Sequence, residues 1–423
     1  MKRKLTAAFL LLLCLTGCSP DSDAVSMTEG TAEKSTEIVD EETTAAENTE
    51  EETDISLSEK NVQQPDINRI LEQYDYDEFP ECIARVDWQE VPYFTNAAAL
   101  NAYLSECYEQ GMEVIPVLTS SQCGYPDSDV FFKKSGMMWT QQNAMTLSEP
   151  DTGEDINLVT YDVLYSSGFL ALYAYRTGDD SRLDETDREV YTAALSWVEN
   201  ELDKTASPLQ QEKQIHDYLC DSVEYYDEEV PGDSRDRFRM AAGALLDGSA
   251  NCMGYSDAFY LLAGMAGMKV ETDLSRMIDH MWDLIWLNGK WYIVDVTWDD
   301  ADEDIPRYEY FNAGLDVVTE DYILEEDSLT EQVQPQSDGM YYYFADEEGF
   351  GGSTDTREEF FDALTRQLEQ SPDSVAYALC RETISYEEGQ DFIDALSDRM
   401  QIGMRYDFYS HGSYSYGMIK IVD

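Results

Sequence analysis

Between residues 86 and 176 the apolar positions change period from one short run to the next. "TNAAALNAYLSECYEQG" predicts a capped helix, "MEVIPVLTS" a strand, and "INLVTYDVLYSSGFLALYAYRT" two strands around Ser166-Ser167-Gly168. Together they predict a small α/β module. The pattern then settles to a helical repeat: "LDETDREVYTAALSWVENELDK" puts Val190, Ala194, Trp197 and Val198 on one stripe. "SPLQQEKQIHDYLCDSVEYYD", opened by Ser207-Pro208, turns Ile215, Tyr218 and Leu219 inward. In "GSANCMGYSDAFYLL" a further helix begins behind Ser249 or Asn251, with Tyr255, Ala258, Phe259, Leu262, Ala263 and Ala266 on one face. "HMWDLIWLNGKWYIVDVTWDD" alternates on both sides of Asn288-Gly289, the signal of a two-residue hairpin. After "RYEYFNAGLD" and a polar connection come strand-like "GMYYYFA", "SVAYALC", "GMRYDFYS" and "GMIKIVD", with "TREEFFDALTRQLEQ" and "EEGQDFIDALSDRMQ" helical. The last module echoes the first in its helix-then-strand order, without a repeat in sequence.

The first residues break this pattern. "MKRKLTAAFLLLLCLTGCSP" has basic residues, then an apolar run from Leu5 to Leu15, shorter than the ~20 residues that span a bilayer. It reads as a secretory signal. Its ending at Cys18 resembles a bacterial lipoprotein signal, which implies cleavage before Cys18, a lipid on that cysteine and an extracytoplasmic, membrane-anchored protein. Residues 19–66, as in "EIVDEETTAAENTEEETD", have too little apolar surface to offset ordering entropy and predict an extended acidic tether. The expected division is residues 1–18 signal, 19–66 tether, 67–183 an α/β module, 184–334 a core and 335–423 a second α/β module.

With 43% hydrophobic and 12% aromatic residues, the rest of the chain has the material for a packed core. A net charge of −61 excludes the basic footprint of a nucleic-acid binder and argues against docking on anionic lipid. Of 8 cysteines, Cys14 and Cys18 belong to the signal, leaving Cys82, Cys107, Cys123, Cys220, Cys252 and Cys380 with no CxxC pair and no disulfide framework.

Cys252 falls in the first turn of its predicted helix, where free N–H groups and the positive end of the macrodipole favour a thiolate. Gly248, Ser249, Ala250 and Gly254 around it leave room for a substrate backbone. Pairing Leu287 with Lys290 across the hairpin sets His280 opposite Thr297 and Trp282 opposite Asp295. His280 and Asp295 then share a face as diagonal neighbours, with Cβ atoms roughly 7–8 Å apart. A thiol, an imidazole and a carboxylate are the set a cysteine nucleophile requires: the imidazole moves the proton, the carboxylate orients the imidazole, and the N–H of Cys252 is a natural oxyanion donor.

"AAGALLDGSANCMGYSDAFYLLAGMAGMKV", "HMWDLIWLNGKWYIVDVTWDD" and "YEYFN" together resemble the transglutaminase-like superfamily, and "EKQIHDYLCDSVEYYD" resembles the helix that precedes its cysteine. The resemblance spans roughly Asp184 to Asn312. It implies a papain-like α+β core with Cys252 as nucleophile, His280 as acid and base and Asp295 as orienting carboxylate. Gly254, Tyr255, Trp282 and Trp298 are its supporting residues. The implied chemistry is thioester-forming acyl transfer on a protein or peptide substrate, without a cofactor. Water or an amine as the second reactant separates peptidase from transglutaminase, with hydrolysis favoured. The contrasting reading is a surface binding or scaffold protein that keeps the fold without using it.

Other candidates are weaker. Asp300, Asp302 and Asp304 begin a calcium-loop spacing, but Ile305 stands where glycine is needed and Phe311 where glutamate is. His216 reads as a partly buried packing residue and His411 as part of a turn. With 3 histidines and no clustered cysteine pairs, a zinc site has little support, and no phosphate-binding loop of the expected form appears.

Overall fold

The computed structural model describes residues 64–123, 137–228, 235–300, 308, 310–315, 322–324, 328–335, 353–372, 375–411 and 414–422. The expected signal with Cys18, the tether up to residue 63, the strand-like "GMYYYFA" and the acidic residues Asp302 and Asp304 lie outside them. Helices and sheets are mixed along the chain, with three four-stranded sheets and one two-stranded pair among the described residues.

The first sheet has the order β1-β2-β4-β3, from Tyr93–Phe94 (β1), Val114–Ser120 (β2), Met137–Ser148 (β3) and Asp155–Tyr165 (β4). β1 runs parallel to β2, and the other pairs are antiparallel. The helix Ala97–Glu109, capped by Asn96, makes the crossover from β1 to β2. β4 is apolar on both faces: Ile156 and Leu158 join one core with Trp88 and Ile83, whereas Val159, Tyr161 and Val163 join the main core.

One expected strand is a helix. "SGFLALYAYRT", Ser167–Thr177, is helical, with the Ser166 hydroxyl capping Phe169 N at 3.0 Å and Gly178 closing it at a φ of 75°. Ser167 to Leu172 are buried without interruption. A run buried on every side has no period to separate helix from strand, and its aromatic content favours the wrong choice.

The core places three helices, Glu185–Asn200, Pro208–Ser222 and the cysteine helix Cys252–Met265, beside the antiparallel sheet β10-β9-β8-β7. Its strands are Lys269–Ser275 (β7), His280–Leu287 (β8), Lys290–Val294 (β9) and Phe311–Ala313 (β10). Both of the first two helices open on a capping box. The hairpin register is Leu287 with Lys290, through to Asp283 with Val294, and Asn288 and Gly289 both take positive φ, as a tight type I′ turn requires. Along the cysteine helix Tyr255, Ala258, Phe259, Leu261, Leu262 and Ala263 are wholly buried. It is a central helix, closed in by elements on every side.

The last sheet, β11-β12-β14-β13, is built from Ser353–Thr354 (β11), Val375–Cys380 (β12), Gly403–His411 (β13) and Tyr414–Val422 (β14). Its strand order and directions repeat those of the first sheet, parallel in the first pair and antiparallel in the other two. The likeness extends to the crossover. In both modules the cap stands two residues after the first strand, Asn96 after Phe94 and Thr356 after Thr354, and helices of 13 and 14 residues follow. All six described cysteines are free thiols. No described helix is long and apolar enough to cross a membrane.

Candidate active site

Asn251 leaves the two-residue strand Ser249–Ala250 (β6) in an extended conformation, and its side chain accepts from Met253 N at 3.1 Å and Gly254 N at 3.4 Å. Cys252 is therefore the first helical residue, with the helix dipole directed at it. Three small residues around it serve the chain's own packing. A Cβ on Gly254 would lie 2.7 Å from both Phe238 O and Ala250 Cβ, one on Gly248 would lie 3.2 Å from Ser222 O, and Ala250 is wholly buried. The space expected for a substrate backbone is filled there by neighbouring segments. Tyr255 anchors the helix from below: its hydroxyl donates to Val223 O at 2.9 Å and also bonds Asp300.

His280 begins β8 after a turn through Asp279 at a φ of 49°. Its Nε2 lies 2.5 Å from Asp295 Oδ2. The approach has a different origin from the expected one. The ladder ends at Asp283–Val294, so His280 has no strand partner at Thr297, which lies in the one-turn helix Val296–Asp299. Asp295 caps that helix, its Oδ1 accepting from Trp298 N at 3.1 Å. An aspartate side chain offers its own backbone this alternative to a strand, and the cap holds the second oxygen toward His280. Trp298 stacks on the imidazole at 4.3 Å with the planes 8° apart. Trp282, buried beneath, donates from Nε1 to Thr330 Oγ1 at 2.9 Å.

Burial works against the imidazolium, but Asp295 first and Cys252 second outweigh it and raise the pKa of His280 to about 10. Cys252 is the second group, after Asp295, whose interaction favours the charged imidazole. Cys252, His280 and Asp295 thus form one linked series, all three at most 8% exposed.

A fourth member was not legible in the sequence. Tyr322 donates its hydroxyl to Asp295 Oδ2 at 2.5 Å, the oxygen that His280 already uses. It stands 27 residues after Asp295 in a stretch without periodicity or motif.

A second thiol–imidazole–carboxylate set lies nearby. His216, expected to be partly buried, is wholly buried and held between Asp299 Oδ2 and Asp217 Oδ1, both at 3.2 Å. Cys220 Sγ is 3.9 Å from both ring nitrogens. Burial pushes this thiol up to about 11 despite His216. The two sets share the chemistry of their residues, and they differ in that His280 is held on a carboxylate at 2.5 Å whereas His216 lies 3.2 Å from each of two. His411 ends β13, paired with Tyr414. Among the described residues no group of three acidic, histidine or cysteine side chains is placed to hold a metal ion.

Residues 196–296 match the model of the transglutaminase-like superfamily. The core is transglutaminase-like. Kyphoscoliosis peptidase from Mus musculus is 27% identical over 115 residues, 24% of this chain and 17% of the relative; that from Homo sapiens is 25% identical over 143 residues, 30% and 20% respectively. The chain therefore spans a fifth or less of these curated relatives. Among solved structures, a candidate cysteine protease from Cytophaga hutchinsonii aligns over 39% of this chain and 66% of its own at 12% identity and a TM-score of 0.22. A candidate protease from Parabacteroides distasonis aligns over 73% and 66% at 7% identity and a TM-score of 0.20. Scores this low carry no argument, and the transglutaminase-like assignment rests on the family match. That match contains Cys252, His280 and Asp295 and stops short of Tyr322.

Proposed function

We propose that this protein is a thiol enzyme that cleaves amide or peptide bonds by acyl transfer to Cys252, with water resolving the thioester. The observation that carries this is the placement of His280 between the thiol and the Asp295 carboxylate. An imidazole that keeps its proton up to about pH 10 is, at neutral pH, the cation that a thiolate nucleophile needs beside it. The thiolate attacks the acyl carbon, and the tetrahedral oxyanion forms. Asn251 occupies the N–H groups of Met253 and Gly254, so the first-turn donor assigned to that oxyanion is the N–H of Cys252. The C–N bond breaks as His280 gives its proton to the amine. Water then attacks the thioester while His280 takes a proton from it, and the acid leaves. The relatives' designation as peptidases supports water as acceptor. Cys18 is proposed as a lipid anchor that keeps this activity on the outer side of a membrane.

The test is the iodoacetamide labelling rate of the full chain against pH, with the modified cysteines located by peptide mapping. Cys252 is expected to label faster than the other cysteines at neutral pH and to lose that advantage in His280→Ala. Cys220 serves as the internal comparison. Equal rates at the two thiols in a chain whose site admits the reagent would remove the nucleophile role.

A further inference from the structure

The family match ends at residue 296, but the site does not. Tyr322 is 5% exposed, and its ring packs edge-on against Trp282 at 4.6 Å and obliquely against Trp298 at 4.5 Å. The stretch that carries it is fastened to the strands of the catalytic hairpin and its neighbour. Ser275 Oγ donates to Ile323 O at 2.6 Å, Asp273 accepts from Ser328 Oγ at 2.5 Å and from Thr330 N at 2.7 Å, and Trp282 Nε1 donates to Thr330. These bonds place residues 322–324 and 328–330 as a strap along β7 and β8.

We propose that Tyr322 is a positioning residue that acts through Asp295 on His280, completing the site from outside the matched core. The inference rests on the proposed role of Cys252–His280–Asp295. Asp295 Oδ2 accepts two hydrogen bonds, from a cationic imidazole and from a phenol, and the phenol takes up part of the carboxylate charge. Burial and Asp295 raise the Tyr322 pKa, so the hydroxyl keeps its proton and remains a donor. The groups that face this linkage are Cys252 and Asp295 on His280, Asp295, Asp299 and Tyr310 on Tyr322, and the buried Asp283 of β8 on Asp295; Tyr225 borders Cys252 and Asp295 from β5, Glu224–Tyr225. Among these, Tyr322 alone shares an acceptor oxygen with the imidazole. Its consequence is twofold: the carboxylate cannot swing away from His280, and its pull on the imidazolium is moderated.

The experiment uses the full chain in a Cys252→Ala background, in which no catalysis takes place. The low-field proton resonance of His280 Nε2–H and the titration of the ring are followed by NMR. In Tyr322→Phe the ring contacts stay and Asp295 loses one donor, so the Nε2–H resonance is expected to move downfield and the titration to higher pH. Fluorotyrosine at position 322, a more acidic donor of nearly the same shape, is expected to move both in the opposite direction. Thermal unfolding of the two variants separates a change at the site from a loss of fold. Spectra and titrations unchanged in both substitutions would overturn the proposal, whatever the reactivity of Cys252. If His280 responds as expected and Cys252 in the unmodified chain labels no faster than Cys220, the linkage stands and the enzymatic reading falls.

Discussion

Asp295 shows how much one side chain carries. It follows β9, starts the one-turn helix through Trp298 N, and gives its other oxygen to His280 and Tyr322. Replacement by asparagine keeps a cap acceptor for Trp298 but turns an amide toward two donors, so His280 loses both its charge partner and its orientation. Asp295→Asn is expected to lower turnover on the order of 10²–10⁴-fold and to slow Cys252 alkylation at neutral pH. Alkylation kinetics that match those of the parent chain across pH would exclude Asp295 from the site. Cys252, His280 and Asp295 were legible as candidates because histidines are scarce, the hairpin register is set by Asn288-Gly289, and the cysteine opens an apolar helix. Tyr322 was not, because neither spacing nor period relates it to Asp295. The route by which Asp295 meets His280 was also misread. A strand ladder extrapolated past Val294 cannot anticipate an aspartate that caps a helix instead.

At the level of elements, the cysteine helix is located by close approaches that its sequence only hints at. Asp257, on its buried face, accepts from Ser166 Oγ at 2.5 Å, Gly168 N at 2.9 Å and Ala241 N at 2.7 Å. A Cβ on Gly168 would lie 2.4 Å from the same carboxylate, so the helix Ser167–Thr177 seats on the cysteine helix only at glycine. At the other contact, Gly254→Ala forces a methyl against two backbone carbonyls that cannot turn aside. It is expected to cost about 1–3 kcal/mol of stability and to slow Cys252 labelling by displacing the first turn, measured by thermal unfolding and by alkylation on the same sample. A variant that unfolds at the parent temperature and labels at the parent rate would show that this approach is not tight. The helix Ser167–Thr177 itself was missed for a related reason: its first six residues are buried without interruption, and such a run carries no amphipathic signature.

Along the whole chain, the core is preceded and followed by sheets of the same strand order and directions. Shared topology with no shared sequence explains why the echo was visible in element order alone. The core is tied internally by buried acids. Glu212, on the helix Pro208–Ser222, accepts from Asn312 Nδ2 of β10 at 2.9 Å, and burial raises its pKa to about 8 against the opposing pull of Asn312 and His216. The folded state therefore prefers the protonated acid. Its contribution is fully present below the ordinary value of 4.5 and is lost as pH rises through about 8. Glu212→Gln, neutral at every pH, is expected to unfold near the parent temperature at pH 5 and above it at pH 9. Melting curves whose separation does not change with pH would contradict this. The joint with the last sheet is polar as well, Tyr416 accepting from Tyr308 N at 3.2 Å.

The one-turn helix Val296–Asp299 has a consequence for observation. Its cap holds His280 and its last residue holds His216, so two of the 3 histidines in the chain are attached to the two ends of a single rigid turn. An imidazole spectrum of this protein contains three signals. One of them would report the imidazole beside Asp295, and a second, wholly buried, would report whether the turn that supports it has moved. A change at His280 would then be readable from a buried residue at the far end of the same turn.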